Sequence, residues 1–396
     1  MNMPEVAPET VGLSAQGLDA LGRGIDDAIA RGRMPGAVAL VAREGRFAWC
    51  GAFGRLRPDA DTPMPLDAIF RIYSMTKPVV SVAALMLAEA GRLRLETPVS
   101  TFIPAFSRMN VGRADASAPD GLRLEPVVRP ITVHDLLRHT SGITYEFLGN
   151  GPVHTAYRGA RLGDPRRTNA EMCEVLATLP LLHPPGERWS YGHSTDVLGR
   201  IVEVVADRSL GEFLRERIFA PLGMVDTGFH VPPPKQARIA EAFPTDPDSG
   251  AAVRLLDPTR KPALEMGGGG LLGTTVDYAR FLRMMLAGGR VEGGGRLLSR
   301  TSVRWMTSDH LGPRRADGTL LPPGHGFGLG AAVRLADGLA PMPGAAGQYF
   351  WGGIAGTSFW VDPAERLFAV LMTQAPGQRD ELRAMFRALV YACIDD

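Results

Sequence analysis

Of the 43 basic residues in this chain only three are lysines, and one of them, Lys77, stands three places after a serine in Ser74-Met75-Thr76-Lys77. A guanidinium stays protonated at any working pH, whereas a desolvated ammonium can release its proton and act as a base. On a helix, residues three apart lie about 5 to 6 Å apart at Cβ, so an amine can reach the hydroxyl one turn back. The pair therefore has the parts for nucleophilic catalysis: a hydroxyl to attack a carbonyl and an amine to take its proton. The run 79–88 that follows is apolar nearly all round and closes at Gly91, which predicts a buried helix. Ser74 and Lys77 are expected on its first turn, where unpaired N–H groups and the positive end of the dipole favour a developing oxyanion. Pro78 lacks an N–H and suits an early turn, whether α or 3₁₀.

Such a scheme needs a second proton carrier between nucleophile, leaving group and water. Tyr191 is the first candidate, because Pro184-Pro185-Gly186-Glu187-Arg188-Trp189-Ser190-Tyr191 forms a stiff approach that ends just before a helix. Tyr145 and Tyr349 are reserves, and a tyrosine held only by packing is the competing reading. A third segment, Tyr349-Phe350-Trp351-Gly352-Gly353-Ile354, puts paired glycines at a strand. There a substrate can approach the backbone, and an edge N–H could complete an oxyanion hole with that of Ser74; a glycine bulge with aromatic packing reads equally well. Phe350, Trp351 and Tyr145 suggest an apolar wall. No Gly-x-Ser-x-Gly is present, so the nucleophile elbow of the α/β-hydrolases is excluded. Met266-Gly267-Gly268-Gly269-Gly270 lacks a phosphate-loop lysine and is read as a tight backbone turn beneath the site.

The elements that must hold these residues follow from periodicity. Ser14 caps a helix with Leu18, Leu21, Ile25 and Ile29 on one stripe, and strands at 37–42 and 47–53 follow, joined at Glu44-Gly45. Residues 110–130 read as a surface loop, and 132–138, 170–177, 195–207 and 210–218 as helices. Thr274 and Asp277 open a further helix. Strands return at 326–335, 357–361 and 367–372, before a last helix at 381–392. The expected architecture is α/β plus all-α: an antiparallel sheet flanked by N- and C-terminal helices, built from 1–80 together with 265–396. A mainly helical domain, 81–264, is inserted, and the active site lies at the junction.

A length of 396 residues, 45% hydrophobic and 21% charged, fits a globular protein with a sizeable core. The net charge of +1, without runs of one sign, suggests neither a nucleic-acid nor a membrane-surface partner, and any charge-driven partner would need a local patch. Residues 1–8 show no leader pattern and no later window reads as a membrane span, so a cytoplasmic location is expected. Cys50, Cys173 and Cys393 are odd in number and far apart, as in a reduced compartment. His134 and His139 are five apart, off one helical face, and no other histidine spacing suggests zinc. No metal and no cofactor are expected.

Taken together, these segments resemble the superfamily of serine β-lactamases, penicillin-binding proteins and family VIII carboxylesterases, nearest its class C-like branch. The likeness rests on Ser74-Met75-Thr76-Lys77, Leu136-Leu137-Arg138-His139-Thr140-Ser141-Gly142, Trp189-Ser190-Tyr191, Pro221-Leu222-Gly223-Met224 and Gly269-Gly270-Leu271 with Thr274 and Asp277. It implies that Ser74 is acylated, that Lys77 and Tyr191 share the base work, and that the N–H groups of Ser74 and Ile354 form the oxyanion hole. Two departures narrow it. Where class C enzymes show Tyr-x-Asn, this chain has Tyr191-Gly192-His193, so His193 replaces the amide that meets a lactam side chain. Where Lys-Thr-Gly is usual, it has Trp351-Gly352-Gly353, and an indole with two glycines cannot bind a substrate carboxylate. The resemblance thus implies a serine carboxylesterase for short-chain uncharged esters. An acyltransferase, a weak β-lactamase or DD-peptidase, and a penicillin-sensing binding module are the rivals.

Overall fold

The computed structural model describes residues 4–119, 121–314, 316 and 320–395; Met1, Asn2 and Met3 of the N-terminal reading lie outside them. Helix α1 (Ala15–Ala30) starts at Ser14, whose side chain accepts from the Gly17 N–H, and buries Leu18, Leu21, Ile25 and Ala28. Strands β1 (Gly36–Arg43) and β2 (Arg46–Gly54) form a hairpin whose two loop residues, Glu44 and Gly45, both have positive φ, the primed turn that matches strand twist. A short strand β3 (Phe70–Arg71) leads into a 3₁₀ turn, Tyr73–Met75, and then α2 (Thr76–Glu89). Ser74 thus lies in the 3₁₀ turn that enters the helix, which settles the open choice between an α and a 3₁₀ turn before Pro78.

Residues 110–130, expected as a loop, contain the ribbon β4 (Asn110–Ala114) and β5 (Leu122–Pro126). Val111 and Gly112 are buried while most of the ribbon is half-exposed or exposed, and the alternation of Leu122-Arg123-Leu124-Glu125 is short and set among glycine and proline, so the stretch reads as loop. Helices α3 (Val133–Leu137), α4 (Pro152–Ala160), α5 (Asn169–Leu176), α6 (Ser194–Ala206), α7 (Leu210–Leu214) and α8 (Ala220–Leu222) follow. The region expected as helix to 218 turns into a π segment, Arg215–Phe219, after α7. Strand β6 (Leu272–Gly273) pairs with β3, bringing the glycine-rich segment beside the nucleophile turn. Helix α9 (Thr275–Leu286) has Thr274 as its N-cap, and α10 (Arg300–Met306) precedes the remaining strands.

These are β7 (His325–Phe327), β8 (Ala332–Arg334), β9 (Tyr349–Gly352), β10 (Ser358–Asp362) and β11 (Leu367–Thr373), and the described chain closes with α11 (Arg379–Tyr391). The run 326–335, expected as one strand, is a hairpin: Gly330 takes a φ of 105° between β7 and β8. With β1 and β2 the strands form a seven-stranded sheet in the order β2-β1-β11-β10-β9-β8-β7, antiparallel throughout. Alternate residues of the central strands serve two cores. Ala37, Ala39 and Val41 of β1 and Leu367, Ala369 and Leu371 of β11 pack with α1 and α11. Val38, Leu40, Val370 and Met372 face the larger core that holds α2, α6 and α9. The sheet built from both ends of the chain, with a helical middle, is the expected architecture. No helix among the described residues is long and apolar enough to cross a membrane.

Candidate active site

Lys77 is fully buried in the first turn of α2, and its ammonium has three acceptors. Nζ lies 3.2 Å from Ser74 Oγ, 3.1 Å from the Tyr145 hydroxyl and 2.5 Å from the Gly268 carbonyl oxygen. All three partners are neutral, and among the described residues Nζ has no carboxylate within bonding distance.

Three chain crossings create the arrangement. The loop after α3 is anchored by Asp135, a buried carboxylate that Arg129, Arg138, Thr132 and Thr140 surround with hydrogen bonds. Beyond it Gly142 has a φ of 84°, and a Cβ there would lie 2.3 Å from the His183 carbonyl oxygen, so no other residue fits. The segment carrying Tyr191 then crosses the one carrying Tyr145 at Gly192, where a Cβ would meet the Ile143 oxygen at 2.3 Å. The crossing sets the two tyrosine rings edge to face, 5.4 Å apart, with Nζ of Lys77 4.5 Å from the Tyr191 ring centroid. The glycine-rich run passes beneath: a Cβ on Gly268 would lie 2.7 Å from Asp196 Oδ2 and 2.9 Å from the Tyr145 hydroxyl.

Tyr191 itself is wedged between His139, Trp189 and Trp351, and its hydroxyl accepts a hydrogen bond from the Trp351 indole N–H at 2.9 Å. Burial first, and then the Asp196 carboxylate, push the Tyr145 hydroxyl well above the usual phenol range, so it keeps its proton. His139 is pushed well below the usual histidine range by burial and by the charge of Lys77, and stays neutral.

His193 is buried, and both ring nitrogens face carboxylates: Nδ1 lies 2.9 Å from Asp196 Oδ2 and Nε2 3.4 Å from Glu146 Oε2. Burial opposes its charge, but the two carboxylates outweigh that and raise its proton affinity. Asp196 also accepts the Gly268 N–H at 2.8 Å, tying this cluster to the carbonyl that holds Lys77.

Trp351 and the glycines after it close the other side. Strand β9 packs against the nucleophile turn. A Cβ on Gly353 would lie 2.5 Å from the Ile72 carbonyl oxygen and 2.4 Å from Thr357 Oγ1, and one on Gly352 would meet the Arg383 guanidinium at 2.5 Å. The room these glycines leave is filled by the protein's own groups. Gly353, Ile354, Ala355 and Gly356 form a turn closed by the Gly356 N–H on the Gly353 oxygen, and Ile354 is 43% exposed at its tip. Phe350 is not brought to this cluster. Neighbours on a strand face opposite ways, and its ring meets His325 and the Arg387 guanidinium instead. Tyr349 is buried on β9, and its hydroxyl has no hydrogen-bond partner among the described residues.

The Gly268 carbonyl, the indole bond to Tyr191, and the parts of Asp196, Glu146 and Arg383 escape sequence reasoning. For Arg383 there is one signal, the four-residue spacing of Arg379, Arg383 and Arg387 on a last helix that must also pack. Among the described residues no group of histidine, cysteine and carboxylate side chains is arranged to hold a metal ion.

A Beta-lactamase family model matches residues 21–392. The chain belongs to that family. Proteins similar to it include the esterase EstB of Burkholderia gladioli, 34% identical over 99% of this chain and 100% of that protein. The lovastatin esterase of Penicillium rubens is 32% identical over 92% of this chain and 96% of its own. Among solved structures, EstCE1, a hydrolase with promiscuous acyltransferase activity, superposes with a TM-score of 0.79 at 28% identity, covering 95% of this chain and 99% of that one.

Proposed function

We propose that the protein is a serine carboxylesterase of the family VIII kind, which forms an acyl-enzyme on Ser74 from short-chain, uncharged esters and hydrolyses it with water. The observation that carries this reading is Lys77 Nζ at 3.2 Å from Ser74 Oγ in a fully buried setting. Lys77 in its neutral form takes the serine proton as Oγ attacks the ester carbonyl. The ammonium so formed is held by the Tyr145 hydroxyl and the Gly268 carbonyl. The oxyanion is received by the N–H groups of Ser74 and Ile354. Tyr191 gives its proton to the departing alcohol while the Trp351 indole N–H steadies the phenolic oxygen. Water then retraces the path with the proton flow reversed.

What surrounds the acyl site supports an uncharged substrate. A penicillin or peptide carboxylate calls for a charged partner. The indole N–H of Trp351 is given to Tyr191, and Arg383 turns its Nη2 to two backbone carbonyls and its Nη1 to Asp380. Trp351 and Tyr145 supply the apolar wall; His193, paired with two carboxylates, acts on the site from behind. EstB and lovastatin esterase carry esterase names. The acyltransferase activity described for EstCE1 favours one second reading, in which an alcohol replaces water at the same acyl-enzyme. The three free cysteines agree with a cytoplasmic site of action.

Hydrolysis of p-nitrophenyl acetate and butyrate, with nitrocefin turned over far more slowly, is the expected result. Nitrocefin turnover exceeding ester turnover would reject the reading, and transfer to an added alcohol outpacing hydrolysis would select the second one.

A further inference from the structure

The last helix carries a cation to the back of the oxyanion turn. Arg383 of α11 is partly buried, and its Nη2 donates to the carbonyl oxygens of Gly353, at 2.5 Å, and Thr357, at 3.0 Å. Among the described residues its one ion-pair partner is the exposed Asp380, 3.5 Å from Nη1. The contact depends on a missing side chain, since a Cβ on Gly352 would lie 2.5 Å from Nη2 and 2.7 Å from Cζ.

The Gly353 carbonyl and the Ile354 N–H belong to one peptide group. A donor on the oxygen draws electron density along the amide, strengthens the N–H as a donor, and fixes the peptide plane. We infer that Arg383 is a positioning residue for acyl transfer, acting through the Gly353–Ile354 peptide to orient and polarise the N–H that receives the oxyanion. The inference rests on the reading of Ile354 as an oxyanion donor. It also accounts for the glycine pair: Gly352 admits the guanidinium, and Gly353 lets the same peptide lie against the Ile72 carbonyl before the nucleophile turn. The site that lacks a lysine on β9 thus receives a cation from behind the strand, turned to the backbone and not to the substrate. Burial pushes this guanidinium down to about 10, against the opposing pull of the Asp380 carboxylate.

The test uses Arg383→Met, which keeps length and loses charge, Arg383→Lys, which keeps the charge, and Ile354→Pro. Proline suits the second position of a turn, so the last variant removes the N–H with little other change. Expected are a fall of about 100-fold in kcat for Ile354→Pro and about tenfold for Arg383→Met on p-nitrophenyl butyrate, with KM within about twofold. An alkyl boronic acid, whose adduct carries the oxyanion, should lose affinity for Arg383→Met by the same factor as kcat. Arg383→Lys should recover part of both at an unchanged melting temperature. Full activity in Arg383→Met beside a crippled Ile354→Pro would overturn the role of Arg383 and leave the oxyanion reading intact. Full activity in Ile354→Pro would overturn both. Equal losses in the Met and Lys variants, with KM raised and melting temperature lowered, would reduce Arg383 to a packing residue.

Discussion

Replacing Tyr145 by phenylalanine removes one hydroxyl from around Lys77 and leaves the ring where it is, stacked on Phe147 and edge to face with Tyr191. The ammonium that forms when Ser74 gives up its proton then keeps two acceptors of three, the serine oxygen and the Gly268 carbonyl. A hydrogen bond to a charged group contributes about 1.5–3 kcal/mol. At about 1.4 kcal/mol per decade, kcat/KM should fall about 10- to 150-fold without vanishing. Tyr191→Phe has a different signature, because it strands the Trp351 indole N–H and removes the proton meant for the leaving alcohol. Nitrophenolate departs without a proton and an alkoxide does not, so Tyr191→Phe should lose far more on ethyl butyrate than on p-nitrophenyl butyrate. Tyr145→Phe should lose by one factor on both. Steady-state kinetics on the two esters decides it, with circular dichroism to establish that each variant is folded. Unchanged kcat/KM in Tyr145→Phe, or the leaving-group dependence appearing there instead, would refute the assignment of the two hydroxyls.

Three further outcomes follow. Gly353→Ala must push β9 away from the Ile72 carbonyl, a backbone contact that cannot yield as a flexible side chain would, so kcat should drop at least about 100-fold. Gly159→Ala, in α4 with nothing near its Cβ, should leave kcat unchanged and raise the melting temperature by about 1 to 2 °C; a lower melting temperature would contradict this. His134 is held down to about 4 by burial and then by the Arg138 charge, and His139, His154, His310 and His325 are all lowered, by burial first. A histidine whose folded value lies below its unfolded value of about 6.5 leaves the unfolded chain binding more protons, so stability is lost as pH falls from about 6.5 toward 4. His193, raised, runs the other way: its contribution is present below about 6.5 and fades as pH climbs. Five against one, the melting temperature in calorimetry should fall between about pH 7 and about pH 5, and a rise would show the balance misjudged.

How far this could be read beforehand depends on whether a contact is local or made across the fold. Ser74 and Lys77 are three residues apart at the start of an all-apolar helix, so their meeting is a matter of helical geometry. The two central strands are apolar on both faces because helices cover both, and they were legible as continuous runs. The β4–β5 ribbon has no such pattern, and α4 begins at Pro152 after a glycine-rich approach that reads as loop. Tyr145 was visible as a tyrosine but not as the one whose hydroxyl meets Lys77, since that depends on the crossing at Gly192 with residues 143 and 144. Gly352 and Gly353 were read as space for substrate. In the fold that space belongs to Arg383 and Ile72, partners 31 and 281 positions away in the chain. His193 was legible as a departure from a motif, while its commitment to Asp196 and Glu146 came only from packing.

The central claim is that Ser74 carries the acyl group. Treating the protein with one equivalent of a p-nitrophenyl alkylphosphonate, digesting it and locating the adduct by mass spectrometry tests that claim most directly. One phosphonyl group is expected, on the peptide containing Ser74, appearing in step with the loss of esterase activity and absent from Ser74→Ala, which should itself be inactive. An adduct on another residue, or a Ser74→Ala protein that still hydrolyses esters, would contradict it.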